Sequence, residues 1–172
     1  MGAVLTDAVL QAGLNYNQVV LPRVLRVLDT YPKAATTSGF LNVLEAKGYQ
    51  EVLNWNDEEK PARLKRLATF LKDRNVETVG DLKTWLARPE SRKELLGIKG
   101  VGPKTADYVP ILAGLPSVAV DRHIERFCAG AGIERKTIRK SVKEAATELG
   151  VDEGCLDYSI WFYMSKGVAR SG

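Results

Sequence analysis

Leu95-Leu96-Gly97-Ile98-Lys99-Gly100-Val101-Gly102-Pro103-Lys104-Thr105-Ala106-Asp107 is the most informative stretch of this chain. A short helix ends at Gly97, a tight turn carries Gly100 and Gly102, and a new helix begins with proline at its first position, where a missing N–H costs nothing. Glycine at the turn supplies positive φ and lets a partner approach the backbone closely. The amides at the head of the second helix, with its dipole behind them, form a site for an anion such as a DNA phosphate. Lys99 and Lys104 add positive charge nearby. Contacts of this kind hold DNA without reading its sequence. A glycine-capped connection in a helical bundle would need less than this pattern, which points to non-specific DNA binding by main-chain and side-chain atoms of Lys99, Gly100, Val101, Gly102 and Thr105.

Outward from this stretch, apolar residues recur at helical spacing almost throughout. Val19, Val20, Val24, Leu25, Val27 and Leu28 mark one amphipathic helix, with Pro22 in or near its first turns. Phe40, Leu41, Val43 and Leu44 mark a short one stopped by Gly48. Asp57 is placed to cap the next, whose apolar stripe is Leu64, Leu67, Ala68 and Leu71. Its bases Arg63, Lys65, Arg66 and Lys72 lie mainly off that stripe, as a solvated outer face would have them. Asp81 precedes Leu82, Trp85 and Leu86, and Pro89 ends that helix. Ser91 and Glu94 have capping-box spacing. A helix from about Pro103 should kink or end at Pro110. Helices near Arg122–Ala129, Lys136–Leu149 and Glu153–Lys166 follow, separated by Gly132 and Gly150. No segment alternates cleanly with period two, so the expected fold class is all-α.

The length of 172 residues suits one domain, 1–172, or one helical body split into two lobes by a cleft, with the hairpin at about 91–113. Hydrophobic residues make up 45% and charged residues 27%, an ordinary soluble composition. The net charge of +4 is compatible with a polyanionic partner. No stretch is long and apolar enough to span a membrane, and no basic segment followed by an apolar run marks a secretion signal. The expected setting is intracellular, and the expected state a monomer. The two cysteines, Cys128 and Cys155, form no CxxC pair and are too few for a four-cysteine cluster. They read as reduced, partly buried thiols. One histidine, His123, makes a classical zinc site improbable.

The hairpin stretch resembles that of the helix–hairpin–helix DNA glycosylase superfamily, which includes endonuclease III and the oxidised-guanine glycosylases. Val118-Ala119-Val120-Asp121-Arg122-His123 resembles the V-x-V-D-x-H setting in which that family places a catalytic aspartate shortly after the hairpin. The two motifs in this order and at this separation are more specific than either alone. Val9-Leu10-Gln11-Ala12-Gly13-Leu14-Asn15-Tyr16 is similar, more loosely, to the helix and loop from which family members push a residue into the DNA stack. Val52-Leu53-Asn54-Trp55-Asn56 is similar to the segment before the family's central helix. The resemblance implies a two-lobed helical glycosylase fold over nearly the whole chain, with damaged double-stranded DNA as partner.

It also implies a chemistry. The enzyme would bend the duplex, extrude a damaged nucleotide and fill the gap with a wedge; Gln11, Asn15 and Tyr16 are the wedge candidates. Lys104 stands where family members with lyase activity hold a nucleophilic lysine. Its amine would attack C1′, displace the base and form a Schiff base, after which β-elimination cuts the strand. That requires a neutral amine part of the time, and therefore a pKa below the ordinary ~10.4. Asp121 would stabilise the cationic sugar, and it is equally suited to cap the helix it begins. His123 reads as structural, hydrogen-bonded within the fold. Family hairpins can hold a monovalent cation through main-chain carbonyls; the matching positions are Leu96, Ile98 and Val101.

The chain departs from endonuclease III in lacking the cysteines of its C-terminal iron–sulfur loop, so no such cluster and no other cofactor is expected. It begins almost on the wedge helix. Arg122 stands where many relatives carry a small hydroxyl residue. Two other readings stay open at this level. One is a monofunctional glycosylase that activates water with Asp121. The other is a non-catalytic DNA-binding module using the hairpin alone. The damaged base is not legible; oxidised pyrimidines are the default from the likeness to endonuclease III.

Overall fold

The computed structural model describes residues 1–165. Among them there is no strand, and the chain is all-helical as its periodicity requires. It forms two compact units, Met1–Ala113 and a second beginning at Gly114.

In the first unit, α1 (Gly2–Leu10) is the buried centre, packed against α2 (Leu21–Thr30), α4 (Glu59–Lys72) and α7 (Pro103–Leu112). Leu5, Ala8, Val9 and Leu10 on α1 and Leu64, Leu67, Ala68 and Leu71 on α4 are all fully buried. Each such leucine contributes about 2 kcal/mol through removal from water. Around these lie α3 (Thr37–Leu53), α5 (Val79–Leu86) and α6 (Ser91–Leu96). The start of α3 is pinned to the α4–α5 connection: buried Thr37 donates its Oγ1 hydrogen to the Val76 carbonyl at 2.6 Å, and its amide bonds the Glu77 carbonyl at 2.9 Å.

Several local expectations are refined. The apolar run expected as one helix from Val19 to Leu28 divides into a π-helical turn, Tyr16–Val20, and α2 from Leu21. Of the α2 residues only Val27 is buried, while Leu25 and Leu28 face solvent. Gly48, at φ +76° and ψ 153°, ends the first helical segment of α3 as expected, and a second short segment continues beyond that kink to Leu53. The capping box sits at Thr78 and Asp81 on α5, not at Ser91 and Glu94. Ser91 lies inside α6 with its hydroxyl bonded to the Leu86 and Arg88 carbonyls, and Glu94 is taken by Arg74 and Arg88. Asp57 accepts from the Glu59 amide at 3.0 Å, just ahead of α4. Pro110 lies within the last turn of α7, which ends at Leu112.

The second unit packs α8 (Arg122–Gly130), α9 (Ile138–Leu149) and α10 (Glu153–Ser165) around Val118, Ile124, Cys128, Ile138, Val142 and Ile160. A 3₁₀ turn, Arg135–Thr137, occupies the expected first residues of α9. Lys166, expected at the end of α10, lies outside the described residues. Cys128 is buried, which pushes its thiol pKa up, and Cys155 is exposed. No helix of the described residues is long and apolar enough to cross a membrane.

The hairpin between α6 and α7 turns at Gly100, with φ +91°, and is closed by the Val101 amide on the Ile98 carbonyl at 2.9 Å. A Cβ on Gly100 would stand 2.8 Å from Arg63 Nε. Gly100→Ala should therefore lose about 1–2 kcal/mol from the left-handed backbone alone. The urea unfolding midpoint checks this, and an unchanged midpoint would contradict it.

Candidate nucleic-acid interface and active site

The hairpin is held from three sides. Ile98 and Val101, on either side of the turn, are 8% and 5% exposed and anchor it in the core. Arg92 of α6 reaches across to α7, its Nε 2.8 Å from Oδ1 of buried Asp107. From α4, Arg66 Nε donates to the Lys99 carbonyl at 2.9 Å, and Arg63 lies under Gly100 while pairing with Glu59 at 2.6 Å. Burying the two apolar anchors forces Lys99 and Gly100 outward, and both are exposed. Gly102, the N-cap of α7, offers no side-chain cap, and Pro103 follows it. That is the geometry of an anion site at a helix N-terminus.

Lys104, in the first turn of α7, is half-buried. Thr105 is 3% exposed and the Val101 side chain is buried as well, so those two positions can offer a partner only main-chain atoms. Beside the hairpin an open groove of about 730 Å³ runs along α4, with Lys65, Arg66, Phe70, Arg74 and Lys99 among its lining. The α4 bases were expected to be a solvated face. Arg63 and Arg66 instead brace the hairpin, a role that depends on long-range packing and leaves no local signal in sequence.

The loop after α1 carries the three wedge candidates. Gln11 is the C-cap of α1, with its Nε2 buried and without a hydrogen-bond partner. Asn15 is exposed and caps the π-helical turn by accepting the Gln18 amide at 3.0 Å. Tyr16 is half-buried and its hydroxyl donates to Asp7 Oδ2 at 3.0 Å. Lys60 of α4 closes the C-terminus of α1, its Nζ 2.8 Å from the Ala12 carbonyl and 3.5 Å from that of Leu10. Burial, and then the Arg63 charge, lower the Lys60 pKa. Neither Asp7 nor Lys60 stood out in the sequence. An aspartate within an otherwise apolar helix was the signal available for the first.

In the second unit Asp121 is the N-cap of α8, with extended backbone at φ −116°, ψ −179°. Its Oδ1 accepts the His123 amide at 2.8 Å and the Ile124 amide at 3.2 Å, which fixes the carboxylate at the head of the helix. His123 is half-buried, and its ring Nε2 lies 3.5 Å from Arg122 Nε, a long contact. The first unit thus groups the hairpin positions and, separately, the wedge candidates with Asp7 and Lys60. Lys104 stands on the first unit and Asp121 on the second.

Residues 4–165 match a family described as "Domain of unknown function (DUF8548)", and the chain belongs to that family. Among curated proteins it is similar to endonuclease III of Bacillus subtilis (strain 168), with 48% identity over 48 residues, 27% of this chain and 22% of that protein. It is also similar to endonuclease III of Buchnera aphidicola subsp. Baizongia pistaciae (strain Bp), with 29% identity over 77 residues, 44% of this chain and 36% of that protein. The matches thus span well under half the length of either relative. No solved structure matches the chain.

The cap geometry separates two substitutions at Asp121. Asp121→Ala removes the acceptor of two amides and should cost about 1 kcal/mol in urea unfolding. Asp121→Asn retains an acceptor oxygen and should unfold within a few tenths of a kcal/mol of wild type. Equal losses in the two variants would contradict the cap.

Proposed function

We propose that this protein is a DNA base-excision enzyme that removes a damaged base and cuts the strand at the resulting site. The observation that carries the reading is Lys104: a half-buried lysine in the first turn of α7, directly behind a solvent-facing glycine turn and an uncapped helix N-terminus. The partial likeness to two endonucleases III supports it.

On this reading the hairpin binds phosphate through its main chain and Lys99, and the loop of Gln11, Asn15 and Tyr16 fills the gap left by the extruded nucleotide. The Lys104 amine attacks C1′ through its nitrogen lone pair, the glycosidic bond breaks with its electron pair leaving on the base, and the sugar opens to an imine. The imine acidifies C2′–H, and loss of that proton expels the 3′ phosphate. Asp121, held rigid by its capping bonds, stabilises positive charge on the sugar as the base departs. Oxidised pyrimidines are the proposed substrate class.

The main-chain carbonyls of Leu96, Ile98 and Val101 would hold a monovalent cation that stiffens the hairpin against phosphate. The Ile98 carbonyl accepts the Val101 amide at 2.9 Å, and a carbonyl oxygen has a second lone pair that such a cation could use.

Duplexes carrying abasic sites or oxidised pyrimidines, treated with borohydride in the presence of the protein, test the reading. Wild type should give a covalent protein–DNA adduct, and Lys104→Ala none. Base release without an adduct would instead assign water activation by Asp121. Neither product across a panel of lesions would reduce the protein to a DNA-binding module. Asp121→Asn should slow base release by a factor on the order of 10² or more while leaving DNA affinity near wild type.

A further inference from the structure

Asp7 sits on the buried helix α1 and is 5% exposed. Its Oδ2 accepts the Tyr16 hydroxyl, while Oδ1 is buried with no hydrogen-bond partner. One helical turn along, Gln11 Nε2 is likewise buried and without a partner. Buried polar atoms left in this state are rare, and each asks for a reason. Burial raises the Asp7 pKa, against which hydrogen bonds from the Tyr16 and Tyr108 hydroxyls favour the ionised form. A carboxyl whose folded pKa is raised contributes stability that is fully present below its unfolded value. That contribution is lost as pH rises through the folded pKa. Above that range the ionised Asp7 works against folding. A neutral residue of the same shape would serve the core better, so its presence points to a use other than stability.

Its neighbours indicate the use. Tyr16 opens the π-helical turn at the end of the loop carrying Gln11 and Asn15. Tyr108 lies four residues after Lys104 on α7, on the same face of that helix, and α1 packs directly on α7. One carboxylate thus joins the loop to the helix of the lysine.

We propose that Asp7 is a positioning residue that couples the gap-filling loop, through Tyr16, to the helix bearing Lys104, through Tyr108. The proposal rests on the reading of that loop as the wedge and of Lys104 as the nucleophile. While the loop is in its present position, Tyr16 and Tyr108 share the carboxylate. When the loop enters the duplex and withdraws Tyr16, the carboxylate is left to Tyr108, and the α1–α7 contact next to Lys104 tightens. Loop insertion and presentation of the amine then occur together.

The test uses the full chain and a duplex with a single abasic site, comparing wild type with Asp7→Asn, Tyr16→Phe and Tyr108→Phe. Asp7→Asn should melt no lower than wild type at neutral pH and bind the duplex with a Kd within about twofold. It should cleave on the order of tenfold more slowly in single turnover, because the amine is misplaced and not lost. Tyr16→Phe and Tyr108→Phe should show less than additive effects in the Asp7 background and additive ones in the Asp7→Asn background. Amide exchange gives a readout free of chemistry. On binding a duplex with a non-cleavable abasic analogue, wild type should gain protection over 106–112 as well as 11–20. Asp7→Asn should keep the second gain and lose most of the first. Wild-type cleavage by Asp7→Asn, or an undiminished gain over 106–112, overturns the proposal. A wild type that shows the paired protection but never cleaves or releases a base overturns the glycosylase reading and leaves the coupling standing. A chain that binds no duplex overturns both.

Discussion

The backbone reversal at Gly100 constrains what surrounds it. Its φ of +91° admits glycine readily and most residues only under strain, and Arg63 lies close beneath it. Because the turn is tight, Ile98 and Val101 can both enter the core, and their burial pushes Lys99 and Gly100 out to solvent. The same geometry sets α7 off with Pro103 at its first position and places Lys104 in its first turn. Arg66 on the Lys99 carbonyl and Arg92 on Asp107 lock the arrangement to α4 and α6. A flexible connection of the same composition would leave the helix N-terminus without a fixed direction and the lysine without a fixed depth.

Much of this was legible in the chain itself. The turn glycines, the proline at the head of α7, the stripe of α4 and the Asp121 cap are local features, written in residues close together in sequence. What was not legible depends on partners far apart. Ser91 and Glu94 have capping-box spacing, but Arg74 and Arg88 draw Glu94 away, and the box forms at Thr78 and Asp81 instead. The apolar run from Val19 splits because Asn15 caps a wider π turn before Leu21 starts a helix with Pro22 near its head. Arg63 and Arg66 look like a solvated face until the hairpin is laid against α4. Asp7 reads as a minor blemish in an apolar helix until Tyr16 and Tyr108 are brought to it.

The electrostatics of the first unit run against simple stability. A carboxyl and a lysine, Asp7 and Lys60, are both drawn into the region where α1 ends, and burial disfavours the charged form of each. Lys60 recovers part of that cost by bonding the last carbonyls of α1, where a cation also suits the helix dipole. Asp7 recovers only part through tyrosine hydroxyls and keeps one oxygen unpaired. Groups that oppose folding and persist in a core are expected at working sites, and these two flank the loop that the proposed reaction requires to move.

The central claim is that Lys104 is the amine that attacks the sugar. Lys60 is the rival: it too is half-buried, and burial lowers its pKa. The direct test is to trap the protein on an abasic duplex with borohydride, digest the adduct and locate the sugar remnant by tandem mass spectrometry. The account predicts the remnant on the Nζ of Lys104. A remnant on Lys60, or on any other amine of the chain, would contradict it.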